Sequence, residues 1–303
     1  MSKKSVYQII QERYIKKIKD AIKDDKVLPW EKPWVGGFPR SHITGKFYRG
    51  INTVLLEKGG EYITYKQIKK LRQKDKSIKL KKGCKQYQII FWSPFTKKVK
   101  NEETGETEEK TQFFLRYYKV YHLDDVKNLE PKWDKFKGYE HQANKLSEDL
   151  IDNYVKNENI DFQEIKGSSR AFYSPPSDTI NVPDRSQFEN IQEFYSTCFH
   201  EIIHSTGNKS RLNRDLSGNF GSSSYSKEEL VAEFGASFVR GLLGIESTKT
   251  EENSVAYLNG WLKAIREDLT LLTSACSKAQ KACDFVLEKG NIDFNSINAK
   301  QSA

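Results

Sequence analysis

An α+β chain of two domains is what this sequence predicts: a small basic unit followed by a larger, acidic one. Three observations carry the prediction. Lys and Arg number 50 against 41 Asp and Glu in 303 residues, a net of +9, but the excess is uneven. Residues 1–137 hold 33 basic and 17 acidic side chains, net +16, whereas residues 138–303 hold 17 and 24, net −7. Such asymmetry points to a module for a polyanion joined to one with different work. Strand-like and helix-like patterns then alternate in both halves, with Pro, Gly and Ser between them. Finally, His200-Glu201-Ile202-Ile203-His204 places two imidazoles four residues apart inside a helical pattern.

In the basic half, expected over residues 1–125, Val6, Ile9, Ile10, Tyr14, Ile18 and Ile22 keep helical spacing and predict an amphipathic helix. Pro29-Trp30-Glu31-Lys32-Pro33-Trp34 breaks it and sets two indoles in a loop. Gly45-Lys46-Phe47-Tyr48-Arg49-Gly50-Ile51-Asn52 mixes glycines, rings and cations, and Thr64-Tyr65-Lys66-Gln67 opens a short helix running to about Lys74. Lys79-Leu80-Lys81-Lys82-Gly83 precedes two β-rich runs, Tyr87–Trp92 and Phe113–Tyr121, joined by a polar hairpin tip over Asn101–Lys110. Strands, rings and lysines in one unit suit single-stranded nucleic acid: bases stack on exposed rings at about 1–3 kcal/mol each while lysines follow the phosphates. A recognition helix or finger for duplex DNA is not evident. For any single ring the core remains the better reading; the charge of the whole half argues for a nucleic-acid face.

Residues 126–138, with Pro131 and mixed charges, read as a linker, and 139–303 as the second domain. A helix is expected over Tyr139–Asn157, then short strands at Phe162–Ile165, Ala171–Ser174 and Thr179–Val182. Thr179–Val182 is the strand expected beside the cleft, pairing with an extended peptide. Helices over Val255–Ser274 and Lys278–Glu288 complete the half, with Leu258, Trp261, Leu262, Ile265, Leu269 and Leu272 as a core stripe.

The chemistry concentrates in the histidine helix, which starts near Ile191 and stops near Gly207. Residues four apart share a face, so His200 and His204 can present two nitrogens to one Zn²⁺. Glu201, one step round, can act as general base on a water polarised by the metal. A longer pattern would need a third histidine at position 210, which is Ser210. A carboxylate is therefore sought downstream, in Ser226-Lys227-Glu228-Glu229-Leu230-Val231-Ala232-Glu233. Ser226 reads as an N-cap with Glu229 as its third residue. Glu229 is taken as the third ligand and Glu233 as the acceptor that orients a histidine N–H, with the reverse assignment open. Glu228 reads as a solvated, dipole-compensating acid. Ser217–Ser226 is expected to be a flexible loop, and Tyr225 at its end is a candidate oxyanion donor. Zinc suits the ligand set, though Mn²⁺ or another divalent ion is not distinguished by it.

No segment approaches the roughly 18 unbroken apolar residues of a membrane span. The start, Met1-Ser2-Lys3-Lys4, leads into an amphipathic pattern and not an apolar signal core. Cys84, Cys198, Cys276 and Cys283 form no C-x-x-C pair. Free thiols and a cytoplasmic location are expected.

Pro29-Trp30-x-x-Pro33-Trp34, Tyr48-Arg49-Gly50-Ile51-Asn52, Thr64-Tyr65-Lys66-Gln67 and Lys82-Gly83 resemble the N-terminal domain of ArdC-type antirestriction proteins, shared with TraC-type plasmid primases. His200-Glu201-x-x-His204-Ser205-Thr206-Gly207, Arg211-Leu212 and Glu228 to Glu233 resemble the zincin-like, gluzincin-type metallopeptidase domain of the same proteins. The resemblance implies a single-stranded DNA-binding domain fused to a metallopeptidase fold, carried by plasmids, phages and other mobile elements and directed against host restriction. Together with the pattern of rings and cations it makes Trp30, Trp34, Lys46, Tyr48, Arg49, Asn52, Tyr65, Lys66, Lys81 and Lys82 the candidate DNA contacts. Restriction-modification subunits or a peptide substrate are the expected protein partners. The competing reading is a DNA-coating and protein-binding module in which the metal is structural. A primase role is disfavoured, since no acidic polymerase-like constellation is found.

Overall fold

The helix predicted from Val6 forms, and its partner explains the architecture. The computed structural model describes residues 5–23, 38–56, 58–100, 107–133, 140–168, 170–188, 190–217, 223–245 and 255–293. Trp30 and Trp34 lie outside these residues, as do 101–106 of the expected hairpin tip. Helix α1 (Val6–Lys23) opens on a reciprocal cap, Ser5 Oγ accepting from Gln8 N and Gln8 Oε1 accepting from Ser5 N. Its stripe of Ile10, Tyr14 and Ile18 is buried. Tyr14 meets Phe234 edge-on at 6.2 Å, and Gln11 donates to the Ile265 carbonyl. The helix of the basic half thus packs into the core of the other half.

The rest of the basic half is a four-stranded sheet in the order β1-β2-β5-β4. It is built from β1 (Arg40–Ser41), β2 (Glu61–Thr64), β4 (Tyr87–Lys100) and β5 (Thr107–His122). Strands β1 and β2 are parallel, and the other pairs are antiparallel. Between them run the short helix α2 (Ile51–Leu55), helix α3 (Tyr65–Lys74) and strand β3 (Lys79–Leu80), which pairs with β6 (Val126–Lys127). Thr64 caps α3 in a full capping box with Gln67. Strand β2 meets β5 only from Tyr62↔His122 to Thr64↔Val120. Beyond Val120 the pair β4–β5 continues alone as a ribbon to Lys100↔Thr107. Both strands are therefore longer than the apolar runs predicted, and 107–110, expected in the tip, are ladder-paired. The apolar runs end near Trp92 and Phe113, while ladder pairing continues through the polar residues beyond them.

The expected linker is fastened to this sheet. Glu61 accepts backbone hydrogen bonds from Lys132 (3.2 Å) and Trp133 (2.8 Å). The Trp133 indole donates to the His42 carbonyl at 3.0 Å. It lies against Gly45, where a Cβ would fall 2.6 Å from the ring. Gly45 has φ +69° and so needs its missing side chain twice over.

The second half comprises α4 (Glu140–Glu158), a three-stranded sheet of β7 (Asp161–Ile165), β8 (Phe172–Ser174) and β9 (Thr179–Pro183), then α5 (Ile191–Ser205), α6 (Ser223–Leu243), α7 (Val255–Glu267) and α8 (Leu271–Lys289). The sheet order is β7-β9-β8. Strand β9, expected to be open to a peptide, is instead paired on both sides, parallel to β7 and antiparallel to β8. The helix expected over Val255–Ser274 breaks at Asp268, whose carboxylate accepts from Thr270 N (2.8 Å) and Oγ1 (2.7 Å). Leu269 consequently leaves the core stripe and is 41% exposed. One apolar core runs from Ile10, Tyr14 and Ile18 through Phe194, Phe199, Phe234 and Phe238 to Trp261. No helix among the described residues is long and apolar enough to cross a membrane.

Candidate metal centre

Helix α5 starts where its sequence provides a cap: Asn190 Oδ1 accepts from Glu193 N at 3.0 Å, the bond typical of an N-cap. Its carboxyl end is held by two arginines. Arg211 donates to the Ser205 carbonyl (3.0 Å) and Arg214 to the Ile203 carbonyl (2.7 Å), which satisfies terminal carbonyls and sets positive charge at the negative end of the helix dipole. Arg211 is further fixed by Asp178 and Glu158.

Helix α6 crosses α5 closely at Gly235, where a Cβ would fall 2.8 Å from Ile203. That approach brings Glu229 to the two histidines. His200 Nε2 lies 3.1 Å from His204 Nε2, and the Glu229 carboxylate is 3.5 Å from the first and 3.3 Å from the second. Ligands about 2.0–2.1 Å from a tetrahedral ion stand about 3.3 Å from one another. The two rings and the carboxylate, met through one oxygen by each ring, converge with ligand atoms within 4.8 Å of one another, and the residues fit a divalent ion.

The other nitrogen of each ring is matched as well. His200 Nδ1 faces Glu233 at 3.6 Å, and His204 Nδ1 faces Glu228 at 3.4 Å. Glu228 corrects the sequence reading: it is 9% exposed, not solvated, and Arg214 grips it through Nε (3.0 Å) and a terminal nitrogen (2.7 Å). The Ser226 cap is also corrected. Helix α6 has begun at Ser223, so Ser226 is inside it, as is Tyr225 in the first turn. Glu229 owes its position to the helix crossing and not to a capping box.

Glu201 is buried beside the same two rings. Burial would lower the pKa of His200, but the carboxylates of Glu229, Glu233 and Glu201 outweigh it and raise it to about 9. His204 is likewise raised against burial, by Glu228, Glu229 and Glu201. Glu229 is buried too, yet the two imidazoles hold its pKa well below the usual carboxylate range.

The predicted DNA contacts are scattered. Lys46, Lys66, Lys81 and Lys82 are exposed, and Tyr65 is 49% exposed. Asn52 is buried, its amide donating to the Ile90 carbonyl (2.8 Å) and accepting from Ile90 N (2.7 Å), so both its ends are committed to the fold. Tyr48 packs edge-on to Tyr62, and burial pushes its pKa up to about 12. Arg49 pairs with Asp284 of α8, while Gly50 N donates to Gln280 Oε1 at 2.9 Å. The Tyr48 to Asn52 motif is thus a seam between the halves. Arg214, Glu228 and Gly235 were missed in sequence; only the adjacency of Glu228 to Glu229 hinted at any of them.

Comparison with known proteins agrees with this layout. The family model for the N-terminal domain of anti-restriction factor ArdC matches residues 4–121, and that for a zincin-like metallopeptidase matches 149–278. The crystal structure of the antirestriction ArdC protein from plasmid R388, in its metal-free form, is 28% identical with a TM-score of 0.71, over 95% of this chain and 98% of that one. Its Mn(II)-bound form gives 27% and 0.69, with the same coverage. The DNA primase TraC of Escherichia coli is 31% identical over 310 residues, which span 94% of this chain but only 27% of the primase. An uncharacterized protein of Sinorhizobium fredii is 26% identical and is covered over 91% of its length. With both domain models matched in order and an ArdC structure matched nearly end to end, the chain belongs to the ArdC family.

Proposed function

We propose that this chain is an antirestriction protein of a mobile element whose basic half binds single-stranded DNA and whose second half is a divalent-metal peptidase. The observation that carries the reading is the triangle of His200, His204 and Glu229 donors with Glu201 beside it. Among the described residues three donors converge, not four, which leaves a coordination position for water and supports catalysis over a structural metal.

A divalent ion there would supply Lewis acidity to water and to the scissile carbonyl. His200 and His204 would hold the ion through Nε2, and the Glu233 and Glu228 carboxylates facing their Nδ1 atoms would favour that tautomer and ring orientation. Glu201 accepts the proton of the attacking water and returns it to the leaving amine. Strand β8, outermost in its sheet among the described residues and packed against α5, replaces β9 as the strand that pairs with an extended peptide. Zinc is the proposed ion, and the Mn(II) form of the R388 protein makes manganese its competitor. A restriction-modification subunit is the proposed peptide source.

Proteolysis of a panel of unfolded proteins and restriction subunits, by Zn²⁺- and Mn²⁺-loaded protein with and without single-stranded DNA, tests the reading beside Glu201→Gln. Cleavage by the wild type alone is expected. Full metal and tight DNA binding with no cleavage in any lane would favour the coat-and-shield alternative.

A further inference from the structure

Register assigns the ribbon side chains to faces, since directly opposed residues of an antiparallel pair project to the same side. Tyr87, Ile89 and Phe91 share one face with their partners Val120, Tyr118 and Arg116. Where the sheet body lies, this face is covered: Tyr62, Tyr87, Ile89 and Val120 are buried together with Leu56. Tyr62 contacts Tyr48 at 6.2 Å and Tyr87 at 5.3 Å, both edge-on. Past the end of β2 the same rank of rings emerges into solvent. Phe91 is 46% and Tyr118 42% exposed, and they meet edge-to-face at 5.6 Å.

Cations frame this pair. Arg116 is directly opposite Phe91 in the register and is exposed. Lys85, also exposed, has its ammonium 5.5 Å from the centre of the Tyr87 ring on the same face. Tyr117, of opposite parity, points to the other side and lines a small gap beside Val6 and Arg13 of α1.

Resting on the proposed single-stranded DNA function, we infer that the strand lies across this face, with bases stacked on Phe91 and Tyr118 and phosphates held by Arg116 and Lys85. Exposed rings on a sheet accept any base, because every base has a π-face, and flanking cations track the backbone. Duplex DNA hides those faces in its own stack, so it is a poor occupant. The face belongs to a half with net charge +16, which favours a polyanion as the occupant. None of these four residues stood among the contacts expected from sequence.

The test is fluorescence anisotropy of a labelled oligo-dT strand with the full-length protein and its Phe91→Ala, Tyr118→Ala, Arg116→Ala and Tyr117→Ala variants. Each face-ring variant should bind roughly tenfold to a hundredfold more weakly, with an unchanged salt slope. Arg116→Ala should lower that slope by about 0.7, one phosphate contact on a single strand. Tyr117→Ala, on the opposite face, should bind as wild type does, and Phe91→Tyr should retain affinity. Wild-type binding that survives loss of both rings would overturn the inference while leaving the DNA function standing. A wild type that fails to bind the strand would sink both. Unaltered melting temperature and metal content in the variants would exclude misfolding as the cause of any loss.

Discussion

The metal pocket and the strand ribbon are opposites in construction. In the pocket every polar group is held from at least one further side: each histidine has a carboxylate at both ring nitrogens, and Glu228 is itself gripped by Arg214. The ribbon is two strands wide, with Phe91, Tyr117 and Tyr118 reaching solvent. The difference suits the two tasks proposed for them. A metal needs donors placed to within a few tenths of an ångström, which buried secondary contacts provide, whereas a flexible strand needs only a surface of rings and charge that any base can use.

If that contrast is right, substitutions in the pocket should have large and coupled effects. His200→Ala should abolish stoichiometric metal by elemental analysis, and a full equivalent retained would remove His200 from the ligand set. Arg214→Met leaves Glu228 buried without its guanidinium and should cost about 3–5 kcal/mol in urea unfolding; a loss below about 0.5 kcal/mol would show that the clasp does not matter.

Metal affinity should also climb with pH. In the metal-free protein His200 is raised from 6.5 to about 9, so at neutral pH an entering ion must displace its proton. His204 is raised as well, so affinity should rise at least about tenfold per pH unit between pH 7 and 9. The sign reverses for the metal-free fold: the charge pairs of His200 stabilise it fully below about pH 6.5 and are lost as pH passes through about 9. Titration calorimetry from pH 6.5 to 9.5 would refute this with a flat profile.

Gly235→Ala should press on Ile203, cost about 1–3 kcal/mol and weaken metal binding together with stability. Loss of stability with metal affinity untouched would mean the helix crossing does not place Glu229. At the small end, Lys82→Ala on the exposed surface should change stability by less than about 0.5 kcal/mol. A larger loss would show that the basic surface is structural, and the contrast would fail.

What could be read from sequence divides along the same line. The spacing of His200 and His204 within a continuous helix sets their shared face, so local periodicity sufficed to bring the two rings together. Glu229 against Glu233 could not be decided that way, because the choice depends on how α6 crosses α5 at Gly235. Glu228 looked like a solvated acid since nothing local announces Arg214, 14 residues away in another segment. Strand β9 was recognised as a strand but misplaced as an open one, because pairing order is a tertiary property. The Tyr48 to Asn52 motif misled most: rings and cations beside glycines suit a DNA loop, yet Asn52 is needed to clamp Ile90 and Arg49 meets Asp284. Phe91 and Tyr118, which do reach solvent, lay within β-rich runs where the core was the better reading for any single ring.

The contact of Tyr14 with Phe234 has a consequence for synthesis. The apolar stripe of α1 is synthesised early, but its partners near positions 234 and 265 follow on the order of 200 residues later. At about 5–20 residues per second the stripe waits on the order of 10–50 s for them. During that interval the basic half can assemble its sheet with β5 against α1, while the face of the helix that carries Tyr14 waits for its partner. Slowing translation before α7 should therefore prolong a state that is soluble by charge and sticky along one helix.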